Sequence, residues 1–97
     1  MIVTISFSAT ADNRDALVAK LQEIIPDTLN FAGCRRIDFV ESTESPGDLM
    51  LIEDWETAEH YETYKAWRRE SGTSVLGGGL VDPDSLQTTY YLSLIHI

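Results

Sequence analysis

Residues 48–56 limit the folds open to this chain more than any other segment. They alternate in the manner of a β-strand, and apolar side chains occur on both resulting faces. Leu49 and Leu51 lie on one face, and Met50 and Ile52 lie on the other. A strand in the open sheet of a lone monomer usually has one face in water. We therefore expect something to cover the second face, and a partner subunit is the simplest candidate.

Three further stretches have strand character. Alternation and β-branched residues predict strands over residues 2–7, 34–41 and 86–92. Asp82, Pro83 and Asp84 together predict a turn before the last of these strands.

Two helical stretches separate the strands. Asp12 is the expected cap of the first helix, which should end or bend at Pro26 because proline lacks a backbone donor. Thr57 is the expected cap of the second helix, which runs to about Glu70. The glycines at 77–79 leave room only for a short, weak helix after it. The order βαββαβ predicts a ferredoxin-like α+β fold, an antiparallel sheet with both helices on one face.

Composition excludes several classes of partner. The chain has 97 residues, enough for one domain, and its net charge of −9 disfavours nucleic acid and anionic membranes. No apolar run approaches the roughly 18 residues that a membrane span needs. The single Cys34 excludes an internal disulfide and a cysteine zinc cluster, which suits a reducing compartment. We expect a cytoplasmic protein.

The last residues differ in kind from the rest. Residues 92–97 read Leu-Ser-Leu-Ile-His-Ile, the peptide expected from in-frame reading of a widely used transposon-end sequencing adapter. We therefore expect a single domain over residues 1–92 and a non-native tail over 93–97, in which His96 carries no function. The alternative is that these residues are an ordinary apolar end of the last strand.

Common cofactor and catalytic motifs do not occur in this sequence. It has neither a phosphate-binding glycine loop nor a His-Glu-x-x-His zinc motif, and its acidic residues lack the spacing of a known metal loop. We expect no metal and no cofactor. Cys34 with His60 as its base is a conceivable nucleophile, but a lone cysteine is more often a small buried hydrophobe.

The second helix carries an unusual group of side chains. His60, Tyr64 and Trp67 have spacings that place them on one stripe, and each joins an apolar body to a polar tip. Such side chains suit a pocket for a flat, partly polar aromatic molecule. The spacing alone slightly favours core packing by Tyr64 and Trp67 beside a surface His60, so both interpretations stay open.

Several motifs, taken in order, resemble the antibiotic biosynthesis monooxygenase family and its quinol monooxygenases. They cover nearly the whole chain: Phe31-Ala32-Gly33-Cys34, Ile37-Asp38-Phe39, Pro46-Gly47, Leu51-Ile52-Glu53-Asp54-Trp55-Glu56, Tyr61-x-x-Tyr64 and Trp67-Arg68-x-Glu70-x-Gly72.

The resemblance implies a dimeric α+β barrel, in which the sheets of two subunits face each other. It also implies oxidation of a quinol or polycyclic phenol by O2 without metal, flavin or haem. On this hypothesis Tyr64 and Trp67 wall the pocket and donate hydrogen bonds to the substrate. His60 acts as the general base, because its ordinary pKa suits that role, and Arg68 stabilises a phenolate. Four further residues are expected to line the substrate pocket: Phe7, Phe39, Trp55 and Tyr90.

Two alternative functions stay open on the sequence. Some relatives degrade haem, and His60 is the one plausible iron ligand here. A non-catalytic module that binds an aromatic ligand is the other alternative. The triple glycine departs from the short apolar helix that family members often have, and it would suit either a mobile lid or a weak connection.

Overall fold

The computed structural model describes residues 1–73 and 78–95. Four strands and two helices alternate in the order βαββαβ. Their bounds are β1 Ile2–Ala9, α1 Arg14–Leu29, β2 Cys34–Glu41, β3 Asp48–Trp55, α2 Ala58–Ser71 and β4 Val81–Tyr91. The strands form one antiparallel sheet in the order β2-β3-β1-β4. The predicted ferredoxin-like α+β fold is confirmed.

One face of the sheet packs against the helices and forms the core. Phe7 and Leu49, paired across β1 and β3, meet Leu17 and Leu21 of α1 in a buried cluster with Val81. A second buried cluster joins Val3 of β1 to Trp55 of β3 and Tyr61 of α2. The space between the layers is therefore walled by α1 at one end and by the aromatic side chains of α2 at the other.

The opposite face of the sheet is uncovered and partly apolar. Alternation places Ile2, Met50 and Ile52 on it, and these side chains are half-buried. Val40 and Tyr91 on the outer strands are 42% and 51% exposed. The two apolar faces predicted for the third strand therefore lie against the helices and on this open face. Within residues 1–73 and 78–95, no helix is long and apolar enough to cross a membrane.

The helix boundaries agree with the sequence in part. Thr57 caps α2 as predicted, because its hydroxyl accepts a hydrogen bond from the backbone N–H of His60. The cap predicted at Asp12 is wrong: Asn13 is the first capping position, and Asp12 has a left-handed φ of 64°. Pro26 does not end α1, which continues to Leu29.

The turn predicted at residues 82–84 lies inside β4. The strand begins at Val81, and its pairing with β1 shifts between Ser8 opposite Asp82 and Ser6 opposite Gln87. Residues 83–86 of β4 therefore lie opposite Phe7 alone and interrupt the regular pairing. Turn-like bonds persist there, since Asp82 Oδ1 accepts from the Asp84 N–H at 3.1 Å. The predictions for residues 74–77, including Gly77, and for His96 lie outside the described residues.

Candidate functional site

A cavity of about 230 Å³ lies between the sheet and the two helices. Its walls are mostly apolar and come from β1, β2, β3 and α1, with residues such as Ile5, Ile37 and Leu51. Its polar lining comes mainly from β3 and α2: Glu53, Tyr61, Tyr64, Lys65, Arg68 and Arg69, with Thr28 of α1 and Thr88 of β4. A mostly apolar pocket with a few convergent polar groups is the usual form of a small-molecule site.

Arg68 organises the polar end of the cavity. The residue is 6% exposed, and its Nε donates to the Tyr64 hydroxyl at 2.9 Å. Its Nη2 donates to Thr28 Oγ1 at 2.7 Å and to the Ile24 carbonyl at 3.1 Å, and its Nη1 donates to Thr73 at 3.1 Å. These four partners are all neutral, so the charge of Arg68 is hydrogen-bonded but not ion-paired within the described residues.

The Tyr64 hydroxyl is fixed by two of these groups. It accepts from Arg68 and shares a 2.7 Å hydrogen bond with Thr28 Oγ1. The Tyr64 ring also packs edge-on against Phe31, with their centroids 5.4 Å apart. When Thr28 is the donor in the shared bond, the Tyr64 O–H is left to donate, and it is preorganised for an oxygen atom of a ligand in the cavity.

Glu53 is the buried acid of the site. It is 3% exposed, lies on the helix-facing side of β3 and lines the cavity. Its Oε1 accepts the indole N–H of Trp55 at 2.9 Å. Burial raises the pKa of Glu53, while the Trp55 hydrogen bond and the charge of Arg68 act in the opposite direction. The pKa of this carboxyl is therefore higher than that of an exposed glutamate.

Tyr61 and Lys65 close the side of the cavity towards β4. Burial and the nearby Glu53 raise the pKa of Tyr61, so its phenol stays protonated. Lys65 Nζ lies 5.0 Å from the Tyr61 ring centroid and bonds to Glu62 at 3.0 Å. It also donates to the Tyr90 hydroxyl at 3.4 Å.

The structure brings some of the predicted site residues together. Tyr64, Arg68 and Phe7 line the cavity. Tyr90 is not part of the lining: it is half exposed, and its ring meets the lining residue Tyr61 with centroids 6.0 Å apart. Trp55 is fully buried and does not line the cavity; its indole N–H donates to Glu53, which does.

The other predicted site residues lie outside the cavity lining. Phe39 packs against the core cluster around Leu49. The Trp67 ring packs against Phe31 at a tilt of 36°, with centroids 5.4 Å apart, and the guanidinium of Arg68 lies over it at 4.8 Å. His60 lines a separate surface pocket, and its Nδ1 is 2.7 Å from Thr57 Oγ1.

Sequence reasoning did not select Glu53 as a site residue. The available signal was its position in β3, where it is the one charged residue among Leu49, Leu51 and Trp55 on the same face. Thr28 was missed as well, because a threonine near the end of a helix carries no distinctive pattern.

Cys34 has the environment of a packing residue. It is half-buried beside the second core cluster. Burial, followed by the charge of Glu53, raises the pKa of the Cys34 thiol to about 11. The thiol therefore stays protonated near neutral pH, where a nucleophile would need the thiolate.

Comparison with a family model and with solved structures points to one protein family. Residues 1–70 match the model of the antibiotic biosynthesis monooxygenase family. Among curated protein sequences, none matches the chain significantly.

Solved structures of similar shape cover nearly the whole chain. Rv0793 from Mycobacterium tuberculosis is 26% identical, with a TM-score of 0.81 over 98% of this chain and 95% of that one. A proposed antibiotic biosynthesis monooxygenase from Deinococcus radiodurans is 23% identical, with a TM-score of 0.83 over 100% and 96%. One from Nitrosomonas europaea shares the fold at 16% identity, with a TM-score of 0.83 over 96% and 88%. Because the family model spans most of the residues, the chain belongs to the antibiotic biosynthesis monooxygenase family.

Proposed function

We propose that this protein is a cofactor-independent monooxygenase that oxidises a quinol or a related phenol with O2. The observation that carries the proposal is the apolar cavity closed at one end by the fixed hydroxyl of Tyr64 and the buried cation of Arg68. The volume of about 230 Å³ is below the roughly 300 Å³ at which drug-sized pockets begin. A quinol of one or two rings therefore suits the cavity better than a polycyclic phenol.

The overall reaction needs no external reductant. A hydroquinone and O2 give a hydroxyquinone and water, so one oxygen atom enters the ring and the other leaves as water. The substrate supplies all four electrons and both protons of that water. An electron-rich phenolate can pass an electron to O2 directly, so the protein needs to ionise the substrate, hold it near O2 and exclude bulk water.

The described residues supply these functions. Tyr64 donates a hydrogen bond to an oxygen of the substrate, and the charge of Arg68 favours the phenolate over the phenol. Arg68 acts mainly through its field and through Tyr64, because four of its five N–H groups already have protein partners. The apolar walls keep the dielectric constant low, which strengthens both effects.

Oxygen uptake by the purified, chelator-treated protein tests this function. We expect enzyme-dependent uptake with small hydroquinones, and a loss of about tenfold or more in Tyr64→Phe, which removes one preorganised donor. Tyr91→Phe is the matched control, because Tyr91 lies on the opposite face of the sheet.

The same assay tests the roles that the sequence suggested for His60, as the general base, and for Trp67, as a wall of the pocket. Both lie outside the cavity lining, so His60→Ala and Trp67→Phe should retain most of the uptake. Loss of the pH dependence in His60→Ala would restore the histidine as the base. No uptake by a folded protein that binds hydroquinones would favour the non-catalytic aromatic-binding module.

We also propose a homodimer formed through the open face of the sheet. Ile2, Met50 and Ile52 form an apolar strip there, and a second copy would remove it from water. Ile52→Glu should convert a dimer to a monomer in light scattering coupled to gel filtration. Ala19→Glu on the exposed side of α1 is the control, and equal masses for both variants would refute this interface.

A further inference from the structure

The burial of Glu53 has no sufficient structural reason. The residue lies on an apolar face of β3 between Leu51 and Trp55, opposite Val3 and Ile37 of the neighbouring strands. A carboxylate in such a place loses its hydration, which is costly unless a cation or several hydrogen bonds replace the water. No cationic group of residues 1–73 and 78–95 lies within ion-pair distance of it.

One oxygen of the carboxyl is fixed and the other is open. Oε1 accepts from the Trp55 indole at 2.9 Å, and Oε2 has no hydrogen bond to any described residue. In that same part of the chain, every fully buried side-chain oxygen or nitrogen has a hydrogen-bond partner, so an oxygen without one is not fully buried. Oε2 is therefore not sealed by the residues that the structure describes, and since Glu53 lines the cavity, it faces a ligand there.

The surroundings of Glu53 suit a proton acceptor. On its helix side, the titratable or charged groups are those that α2 contributes to the cavity: Tyr61, Tyr64, Lys65, Arg68 and Arg69. β2 contributes Cys34 and β4 contributes Tyr90. The lining residues of α1 are uncharged. Burial raises the pKa of Glu53, which makes it a stronger base than an exposed carboxylate once it is ionised.

We propose that Glu53 is a catalytic residue whose Oε2 receives the hydroxyl proton of a quinol bound in the cavity. This inference rests on the proposed function. The quinol O–H bond breaks, a Glu53 O–H bond forms, and the electron pair stays on the quinol oxygen as a phenolate near Arg68.

The remaining steps return the proton. The phenolate passes one electron to O2, and the two radicals join at the ring carbon beside the ionised oxygen. The resulting peroxide anion takes the proton back from Glu53. The carboxylate then removes the hydrogen of that carbon as the O–O bond breaks, and the departing hydroxide takes this proton to leave as water. The products are a hydroxyquinone and water, and Glu53 ends as it began.

Binding of simple phenol tests the contact without any oxidation. Phenol carries the hydroxyl of a quinol, and toluene is the matched ligand without it. Between about pH 5 and pH 9, where phenol itself stays protonated, the wild-type affinity for phenol should rise about tenfold or more as Glu53 ionises. Toluene affinity should stay level. NMR titration at several pH values measures both.

Glu53→Gln is the decisive variant, because its amide oxygen can still accept from Trp55 while the basic site is lost. We expect a level phenol affinity in Glu53→Gln and the wild-type profile in Glu56→Gln, which changes an exposed neighbour. A purely structural Glu53 would leave the phenol profile unchanged in Glu53→Gln, and that result would overturn the proposal. If this variant does not fold, Glu53→Asp withdraws the carboxylate by one methylene and should weaken the pH dependence. An unchanged profile there also overturns the proposal.

Oxygen uptake with hydroquinone separates this proposal from the general function. We expect kcat to fall about a hundredfold or more in Glu53→Gln, with loss of the pH-dependent limb. If the wild-type protein shows no uptake, the proposed function fails. The phenol affinities still decide in that case whether Glu53 is the hydroxyl-binding group. Uptake equal to wild type in Glu53→Gln would refute its catalytic role alone.

Discussion

Replacing Thr28 by valine is a sharp test of how the two helices are joined. Valine keeps the shape of threonine and removes only the hydroxyl. In the folded protein that hydroxyl is buried and bonds to Arg68 Nη2 and to the Tyr64 hydroxyl, each at 2.7 Å. A hydrogen bond to a charged group contributes about 1.5–3 kcal/mol, and a neutral one contributes about 0.5–1.5 kcal/mol.

The expected loss of stability lies towards the lower end of the sum of these two contributions. After the change, Arg68 Nη2 keeps the Ile24 carbonyl and the Tyr64 hydroxyl keeps Arg68 Nε, so neither group is left without a partner. We expect a loss of about 2–3 kcal/mol in the free energy of unfolding, a large share of the 5–15 kcal/mol typical of a domain. In a chain of this size it corresponds to a fall in Tm of about 10 °C or more.

Urea unfolding of wild type, Thr28→Val and Thr63→Val measures this loss. Thr63 is the control, because its hydroxyl bonds only to the Glu59 carbonyl on the exposed side of α2. It should change stability by less than about 0.5 kcal/mol. An equally small effect in Thr28→Val would refute the reasoning, because water would then replace the buried hydroxyl at no cost.

Two further changes test the loop before β2 and the ion pair that joins Arg14, at the start of α1, to Glu41 of β2. Gly33→Ala should cost about 2 kcal/mol or more, because φ is +90° and the new Cβ would collide with the His60 side chain. Gly47→Ala has a φ of +94° and open space, so the excess loss in Gly33→Ala measures the collision in thermal unfolding. Hydrogen bonds from Arg14 and from a backbone N–H lower the pKa of Glu41 from 4.5 to about 2, so the stability it contributes is present above pH 4.5 and is lost as pH falls towards 2. Stability curves of wild type and Glu41→Gln should therefore converge near pH 2, and parallel curves would contradict this assignment.

Local patterns were sufficient for the fold but not for two of its details. Pro26 predicted that α1 would end or bend, and the helix does not end there. Proline leaves the Gln22 carbonyl without its usual N–H donor, but Gln22 lies on the exposed side, where water can bond to that carbonyl. Arg68 of α2 also binds the Ile24 carbonyl from across the interface. The sequence around Pro26 contains no sign of this remote contact.

The candidate site was partly predicted for a similar reason. Helical spacing placed His60, Tyr64 and Trp67 on one stripe of α2, and the same spacing places Tyr61 and Arg68 on the neighbouring stripe. The cavity takes Tyr61 and Arg68 from one stripe and Tyr64 from the other. Periodicity fixes which residues share a face, but the angle at which the helix meets the sheet decides which face is central. That angle depends on long-range packing, such as the contact between Trp55 and Tyr61.

The stability of Glu53→Gln connects the fold to the proposed chemistry. A carboxyl whose pKa is raised by folding stabilises the protein in its protonated form. That contribution is complete below its unfolded value of about 4.5 and is lost as pH rises through the folded pKa. Glutamine stays neutral, so Glu53→Gln should be more stable than wild type at neutral pH, and the difference should shrink towards pH 4. Chemical unfolding at both pH values measures it. A variant less stable than wild type at neutral pH would mean that the ionised carboxylate supports the fold. A variant that gains stability while losing oxygen uptake would mean that the chain retains a destabilising acid because its chemistry needs one.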